Sequence, residues 1–316
     1  MRPAIGPGRF GLERGPPNAN PESLNPPSYR MNDTPICSLT STRRHFLAWL
    51  SPVWIGLLMA PGLVGAEKFE PEFYAFFNGM PGGMSYEDEA KMLKELGYTG
   101  ISQVYAGGAG AKLVERAAAY KKHGVKVLSL YLGATEKPIA AETIAGLAGG
   151  GMIELTVQKK ITPELLESIR KTAAMAEEQQ VRVAVYPHAG FTVATVPQAI
   201  DLAAKVDHPN FGVMFNLCHF LKSEKAGDLE ATLDKAAPKL FAVSTNGADL
   251  DGKDWGKLIQ TLDKGSFPQA RLFRKLESLG FDGPVSLQCY AVKGDKRDNL
   301  KRSIEAWRKV LGELAK

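Results

Sequence analysis

The stretch FGVMFNLCHFLK, residues 211–222, decides the fold of this chain. Its first five residues are apolar or glycine, and polar groups follow abruptly at Asn216 and His219. A short strand that is apolar on both faces is typical of a parallel sheet covered by helices. In such sheets the ligand-binding side chains stand at the carboxyl ends of the strands. The stretch therefore predicts a buried parallel strand with chemically active side chains at its end.

Seven further segments have the same character, and helical segments separate them. The eight predicted strands span residues 73–77, 100–105, 125–131, 152–157, 181–186, 211–215, 240–245 and 285–290. Ser85 and Thr162 are predicted to cap two of the helices, and Gly97 and Gly124 to end two of them. Eight strand–helix units over about 250 residues are typical of a single (β/α)₈ TIM barrel, an α/β fold.

The alternative architecture is a doubly wound open sheet. Such a sheet typically carries a Gly-rich phosphate-binding loop after its first strand. Residues 78–83, NGMPGG, contain glycines without the GxGxxG spacing. The barrel, spanning residues 67–316, is therefore the favoured prediction.

Two segments precede the predicted barrel. Residues 1–40 are rich in proline, glycine and asparagine and predict a disordered extension. In residues 41–66, Arg43 and Arg44 precede an apolar run, and small residues follow it. This order resembles a twin-arginine signal peptide, which predicts export to the periplasm. A retained membrane anchor is the alternative, because the apolar run at residues 46–64 could span a bilayer, although its prolines and glycines weaken that helix.

Charge and cysteine content narrow the function classes. The net charge is +5, of which +3 belongs to residues 1–66, with six arginines, no lysine and three acidic residues. The predicted barrel is nearly neutral and has no basic run interleaved with aromatic residues, so nucleic-acid binding is not expected. Cys218 and Cys289 lie at the ends of strands six and eight, with a whole strand between them. Their backbones are therefore expected to be about 9–10 Å apart, too far for a relaxed disulfide, which predicts two free thiols.

Polar and aromatic side chains end most of the predicted strands. The predicted substrate-binding residues are Asn78, Tyr105, Tyr131, Tyr186, Asn216, Asn246, Gln288 and Tyr290. Amide and phenol groups match sugar hydroxyls, and aromatic faces cover sugar C–H groups, so a small-molecule carbohydrate is the expected partner. His188 and His219 are the predicted catalytic pair, because imidazoles carry protons near neutral pH. Singly, His188 could cap a turn and His219 could be a buried histidine under a helix.

Several motifs resemble the xylose isomerase-like TIM-barrel superfamily of sugar isomerases, sugar-phosphate isomerases/epimerases and type IV endonucleases. Residues 96–101, LGYTGI, resemble the family's approach to strand two, and Asn216-Leu-Cys-His219 resembles its Asp-x-x-His after strand six. Residues 183–188, VAVYPH, and residues 283–288, GPVSLQ, resemble the endings of strands five and eight. The resemblance covers about residues 69–314. The twin-arginine signal, taken together with these forms of the motifs, is also similar to that of predicted exported sugar phosphate isomerase/epimerase proteins.

The resemblance implies a divalent metal such as Mn, Mg or Zn, held by two Glu, one Asp and one His. The resemblance places the two Glu on Tyr186 and Gln288 and the Asp on Asn216. It places the His on Ser244 or on a residue beside it. Hard cations need anionic oxygens to replace their hydration, and these side chains are neutral. We therefore expect no family-type metal.

Two functions follow as hypotheses. The first is an isomerase or epimerase that moves a proton next to the carbonyl of a sugar or keto-sugar. The second is a non-catalytic sugar-binding protein that keeps the barrel and the pocket. Residues 293–297, KGDKR, could grip an anionic substituent or form a solvated loop, and the loop after strand seven, with Asp249, Asp251, Asp254 and Trp255, could form a lid.

Overall fold

The computed structural model describes residues 69–316. The predicted extension (residues 1–40) and signal peptide (residues 41–66) lie outside this described part. Among residues 69–316, no helix is both long enough and apolar enough to cross a membrane.

Eight parallel strands form the inner layer of the molecule. In chain order they are β1 (Phe73–Phe76), β2 (Gly100–Ser102 and Val104–Tyr105), β3 (Lys126–Val127 and Ser129–Gly133), β4 (Met152–Thr156), β5 (Arg182–Val185), β6 (Phe211–Asn216), β7 (Leu240–Thr245) and β8 (Val285–Leu287). Each strand pairs with the next one in the chain, and β8 pairs with β1, Val285 lying opposite Phe73. This pairing confirms the predicted TIM barrel over an open sheet.

Helices cover the outside of the strands and connect them. They are α1 (Tyr86–Leu96), α2 (Ala111–Lys122), α3 (Ala141–Ile144), α4 (Pro163–Glu178), α5 (Val196–Val206), α6 (Leu217–Ser223), α7 (Leu229–Ala236), α8 (Trp255–Leu258), α9 (Gln269–Ser278) and α10 (Lys296–Leu314). Ser85 and Thr162 cap α1 and α4 as predicted, each accepting a backbone N–H at 3.1 Å. Gly97 ends α1 in the left-handed conformation, φ 92°, which glycine adopts without strain.

The core has two layers. A large apolar cluster lies between the strands and the helices. A smaller cluster fills the inside of the barrel, formed by Phe76, Met152, Ala184, Tyr186, Met214 and Ala242. Close approach of β2 and β3 depends on Gly100, because a Cβ there would lie 1.9 Å from the carbonyl oxygen of Lys126. The packed interior leaves the carboxyl ends of the strands as the open face.

The structure differs from the sequence predictions at two places that matter for function. The predicted strand 100–105 is interrupted at Gln103, whose φ of 54° turns its N–H toward the Ser129 hydroxyl instead of into the strand ladder. Helix α6, which was not predicted, begins directly after β6 and carries His219.

Cys218 and Cys289 are free thiols, as predicted.

Candidate active site

A cavity of about 410 Å³, called here the mouth cavity, opens at the carboxyl ends of the strands. Eight of the ten predicted site residues line it: Asn78, Tyr105, Tyr131, Tyr186, His188, His219, Gln288 and Tyr290. Its remaining lining residues are Gln103, Ala189, Trp255 and Ile259. The barrel thus gathers side chains that are far apart in sequence into one polar and aromatic pocket.

His188 and His219 are neighbours in this cavity, with ring centroids 4.1 Å apart. The N–H of Ala189 donates to Nδ1 of His219 at 3.2 Å, so a neutral His219 carries its proton on Nε2. Nδ1 of His188 lies 2.9 Å from the carbonyl oxygen of Ala189. A carbonyl only accepts, so Nδ1 of His188 carries the proton and its Nε2 keeps a lone pair. One backbone residue therefore gives the two imidazoles opposite tautomers.

Both imidazoles are neutral near neutral pH. Burial, together with the nearby His188, lowers the pKa of His219 to about 3. Burial also lowers the pKa of His188 below the usual 6.5. His188 stacks on Phe191 at 4.1 Å, and His219 meets the edges of Tyr186 and Trp255 at 5.5 and 5.4 Å. These ring contacts hold the imidazoles in place and shield them from water.

Phenol rings form one side of the cavity. Tyr105 lies 6.0 Å from Tyr131, and Tyr131 lies 5.4 Å from Tyr186, each pair edge to face. Burial raises the pKa of Tyr131 to about 12 and that of Tyr186 well above its usual value. The phenols are therefore neutral and can donate hydrogen bonds.

A network of amides forms another part of the lining and joins the phenols at Tyr186. Asn78 donates to Oε1 of Gln288 at 2.7 Å, and Nε2 of Gln288 donates to the Tyr186 hydroxyl at 3.4 Å. The backbone N–H groups of Cys289 and Tyr290 donate to Asn78 and Gln288 at 3.2 and 2.9 Å. Hydrogen bonds between neutral groups therefore hold the side chains of Asn78 and Gln288 in fixed orientations in the cavity lining.

Two predicted substrate-binding residues lie outside the lining of the mouth cavity. Asn216 is buried beneath it, where its Oδ1 accepts a hydrogen bond from the Ser244 hydroxyl. Asn246 is fully buried, and its side chain donates to the carbonyl oxygens of Gly247 and Leu258 at 2.8 and 2.6 Å. The amide of Asn246 therefore holds the loop after β7 in shape.

The loop after β7 contributes Trp255, the first residue of α8, to the cavity. Lys222 on α6 lies over the Trp255 ring at 5.6 Å. Two carboxylates of the predicted lid are engaged within the loop. Asp254 caps α8 by accepting the Lys257 N–H at 3.1 Å, and Asp249 accepts the Ser266 N–H at 3.2 Å.

The basic segment at residues 293–297 is partly engaged in structural contacts. Lys296 donates to the carbonyl oxygens of Asn78 and Met80 at 3.1 and 2.8 Å. Arg297 pairs with Glu95 at 2.9 Å. These contacts hold the start of α10 against the segment after β1 and against α1.

Glu154 and Gln103 were missed by the sequence analysis. Glu154 is fully buried in β4, and burial raises its pKa to about 7 against hydrogen bonds from Ser129 and Gln103. The available signal was a single acid inside an otherwise uncharged strand, Met152–Thr156. Gln103 has no comparable signal, because only the break in β2 turns it into the mouth cavity.

A model of the xylose isomerase-like TIM barrel family matches residues 90–310 of this chain. The chain belongs to this family. No curated protein matches it significantly.

Solved structures share this barrel at low sequence identity. D-Psicose 3-epimerase from Clostridium cellulolyticum H10, solved with D-tagatose, has a TM-score of 0.59 and 14% identity over 76% of this chain and 99% of its own. The 3-keto-D-glucoside 4-epimerase from E. coli has a TM-score of 0.60 and 15% identity over 76% and 100%. A fusion of a xylose isomerase-like TIM barrel with 4-hydroxyphenylpyruvate dioxygenase has a TM-score of 0.61 and 14% identity over 76% of this chain. This chain spans 42% of that protein.

The four side chains that the sequence resemblance assigned to metal-binding positions do not suit a hard divalent cation. Tyr186, Asn216, Ser244 and Gln288 are neutral and hydrogen-bonded to neighbouring neutral groups. In the described part of this xylose isomerase-like barrel, no three His, Cys, Asp or Glu side chains are grouped to hold a metal. Cys218, beside His219, is fully buried with its pKa raised to about 12, so it is a poor thiolate donor.

Proposed function

We propose that this xylose isomerase-like barrel is a carbohydrate isomerase or epimerase. It moves a proton on the carbon next to the carbonyl of a sugar or keto-sugar, and it does so without the divalent metal of its family. The observation that carries this proposal is the pair of adjacent, neutral imidazoles in opposite tautomers within a cavity of phenols and amides. Two epimerases of sugars among the related folds support the substrate class.

His188 is the proposed base. Its Nε2 lone pair is available because Nδ1 donates to a backbone carbonyl, and its lowered pKa keeps the ring neutral. It takes the proton from the carbon next to the carbonyl, and the C–H electron pair forms the enediolate. The His188 imidazolium returns this proton to the former carbonyl carbon while the hydroxyl proton passes from one enediol oxygen to the other, which gives isomerisation. Epimerisation requires the enediolate to turn over in the site, so that the imidazolium protonates the other face of the same carbon. No other reactant is required for either outcome.

His219 is the proposed hydrogen-bond donor. Its Nε2–H is oriented by the Ala189 N–H on the other ring nitrogen, and a pKa of about 3 keeps it neutral throughout the reaction. A neutral imidazole donates to the oxygen on which negative charge develops, without giving up its proton. Tyr131 and Gln288 supply further neutral donors for the sugar hydroxyls.

The test is proton exchange at the reacting carbon. Purified full-length protein is incubated in D₂O with ketohexoses, aldohexoses and 3-keto-glucosides, and deuterium incorporation is followed by NMR. We expect His188→Gln and His219→Gln each to lower turnover roughly 10²–10⁴-fold with an unchanged melting temperature. His123→Gln is the control, because His123 ends α2 against Glu87, away from the cavity. Full turnover in both site variants would contradict the proposed roles.

Metal independence is tested on the same reaction. We expect dialysis against EDTA to leave turnover unchanged, because the side chains at the family's metal positions are neutral. Loss of turnover on chelation, with recovery on adding Mn²⁺, Mg²⁺ or Zn²⁺, would establish the family mechanism instead.

The second candidate is a sugar-binding protein without catalytic activity. The neutral side chains at the positions assigned to the family's carboxylates favour it. An amide such as that of Gln288 can still form hydrogen bonds to a sugar, but it lacks the charge that binds the metal. It predicts that a sugar raises the melting temperature while no deuterium is incorporated.

A further inference from the structure

Glu154 is a lone carboxyl group inside the barrel, directly linked to the lining of the mouth cavity. Ser129 donates its hydroxyl proton to Oε1 of Glu154 at 2.5 Å, and Nε2 of Gln103 donates to Oε2 at 3.2 Å. Its side chain is fully buried, so its charge is not solvated by water. The proposed mechanism does not use this group.

Gln103 connects Glu154 to the cavity. It lines the cavity although it is only 4% exposed. Its backbone has a φ of 54°, a conformation that non-glycine residues rarely adopt. That conformation directs the Gln103 N–H to the Ser129 hydroxyl at 2.7 Å. Backbone and side chain of Gln103 are therefore both bound to the Glu154–Ser129 pair.

We propose that Glu154 is a positioning residue that acts through Gln103 and decides whether the floor of the mouth cavity offers a sugar an acceptor or a donor. This inference rests on the proposed function for its ligand class. An ionised carboxylate only accepts hydrogen bonds, so the NH₂ group of Gln103 must face it and Oε1 is left for the cavity. A protonated Glu154 donates its O–H to Oε1 of Gln103, which requires the side-chain amide to rotate by half a turn. Nε2 of Gln103 then faces the cavity.

The groups that face Glu154 place this change near neutral pH. Tyr131 on β3 lies opposite Glu154 in the strand register, and the negative charge of Glu154 contributes to raising the pKa of Tyr105, Tyr131 and Tyr186. They remain neutral while Glu154 titrates. Burial raises the pKa of Glu154 to about 7 against the two hydrogen bonds that favour the carboxylate. The ionised form thus selects a sugar hydroxyl, and the protonated form selects a carbonyl oxygen.

The test follows the side-chain amide of Gln103 by NMR in ¹⁵N-labelled full-length protein without sugar. The signal is assigned by its loss in Gln103→Leu. We expect it to shift with a midpoint near neutral pH in the wild type and to become independent of pH in Glu154→Gln. Glu224→Gln is the matched control, because Glu224 is another carboxyl with a raised pKa, and it accepts the Val196 N–H away from the cavity. The control should titrate like the wild type.

A second variant keeps the proposal testable if Glu154→Gln does not fold. Ser129→Ala removes a hydrogen bond that favours the carboxylate, so the midpoint should move to higher pH. A wild-type signal that does not titrate, an unchanged titration in Glu154→Gln, or an unmoved midpoint in Ser129→Ala overturns the proposal. Because no sugar is present, this result is independent of whether the chain turns over any sugar.

Discussion

Burial controls the protonation of His219 and Glu154, and it favours the neutral form of each. The imidazolium of His219 would be buried beside His188, so its pKa falls to about 3. Burial of the Glu154 carboxylate outweighs its hydrogen bonds from Ser129 and Gln103, so its pKa rises to about 7. At the residue scale, burial therefore shifts both groups toward their neutral forms.

The pKa of His219 predicts a loss of stability in acid. Its folded value of about 3 lies below the ordinary 6.5, so below pH 6.5 the unfolded chain binds a proton that the folded chain does not. The free energy of unfolding therefore falls as the pH drops, by about 2 kcal/mol at about pH 5 for this group. Urea unfolding should show that His219→Gln lacks this part of the loss.

The control for this prediction is Val114→Ala, a change at an exposed apolar residue of α2, which should lose as much stability in acid as the wild type. Equal losses in the wild type and His219→Gln would contradict the buried, neutral state of His219.

At the scale of elements, local sequence sets the start of some helices, and tertiary contacts set the start of others. Helix α4 begins where its own residues dictate, at Thr162 followed by Pro163. Helix α6 begins directly after β6 without a side-chain cap, because Asn216 bonds to Ser244 on β7 instead. Its apolar residues Leu217, Phe220 and Leu221 have helical spacing, which was the available sequence signal.

The cap of α4 gives a prediction at this scale. Thr162→Ala removes the acceptor for the Leu165 N–H and should lower the free energy of unfolding by about 1 kcal/mol. Thr162→Ser keeps the hydroxyl and should retain most of that stability. Urea titration measures both, and the slope with urea should stay the same. Equal stability of the alanine and serine variants would show that the cap contributes nothing.

At the scale of the whole molecule, we propose that residues 41–66 direct export. The supporting observation is Arg43-Arg44 ahead of an apolar run, and the twin-arginine route carries folded proteins. Expressed full-length in a bacterium with this route, the wild type should appear in the periplasmic fraction. Replacing Arg43 and Arg44 together by lysine should keep it in the cytoplasm. Replacing Arg14 and Arg30 by lysine is the control, and equal periplasmic amounts in all three proteins would refute the proposal.

Much of the architecture could be predicted because its signals are local. Strand β7 was predicted with its observed limits, and Ser85 and Thr162 cap helices as expected. Eight predicted site residues share one cavity because parallel strands in a barrel end on one face. Asn216 and Asn246 have the same local signal, yet neighbouring strands and loops bury them under the cavity or within a loop.

The sequence by itself determined the alternation of strands and helices, the helix caps and the polar strand ends, since each depends on residues a few positions apart. Only the tertiary structure decided the tautomers of His188 and His219, the turn of Gln103 into the cavity and the isolation of Glu154. These features depend on hydrogen bonds between distant segments, such as the bond between Gln103 and Glu154, 51 positions apart. No local pattern encodes such a bond, because it exists only after the strands have taken their places in the ring.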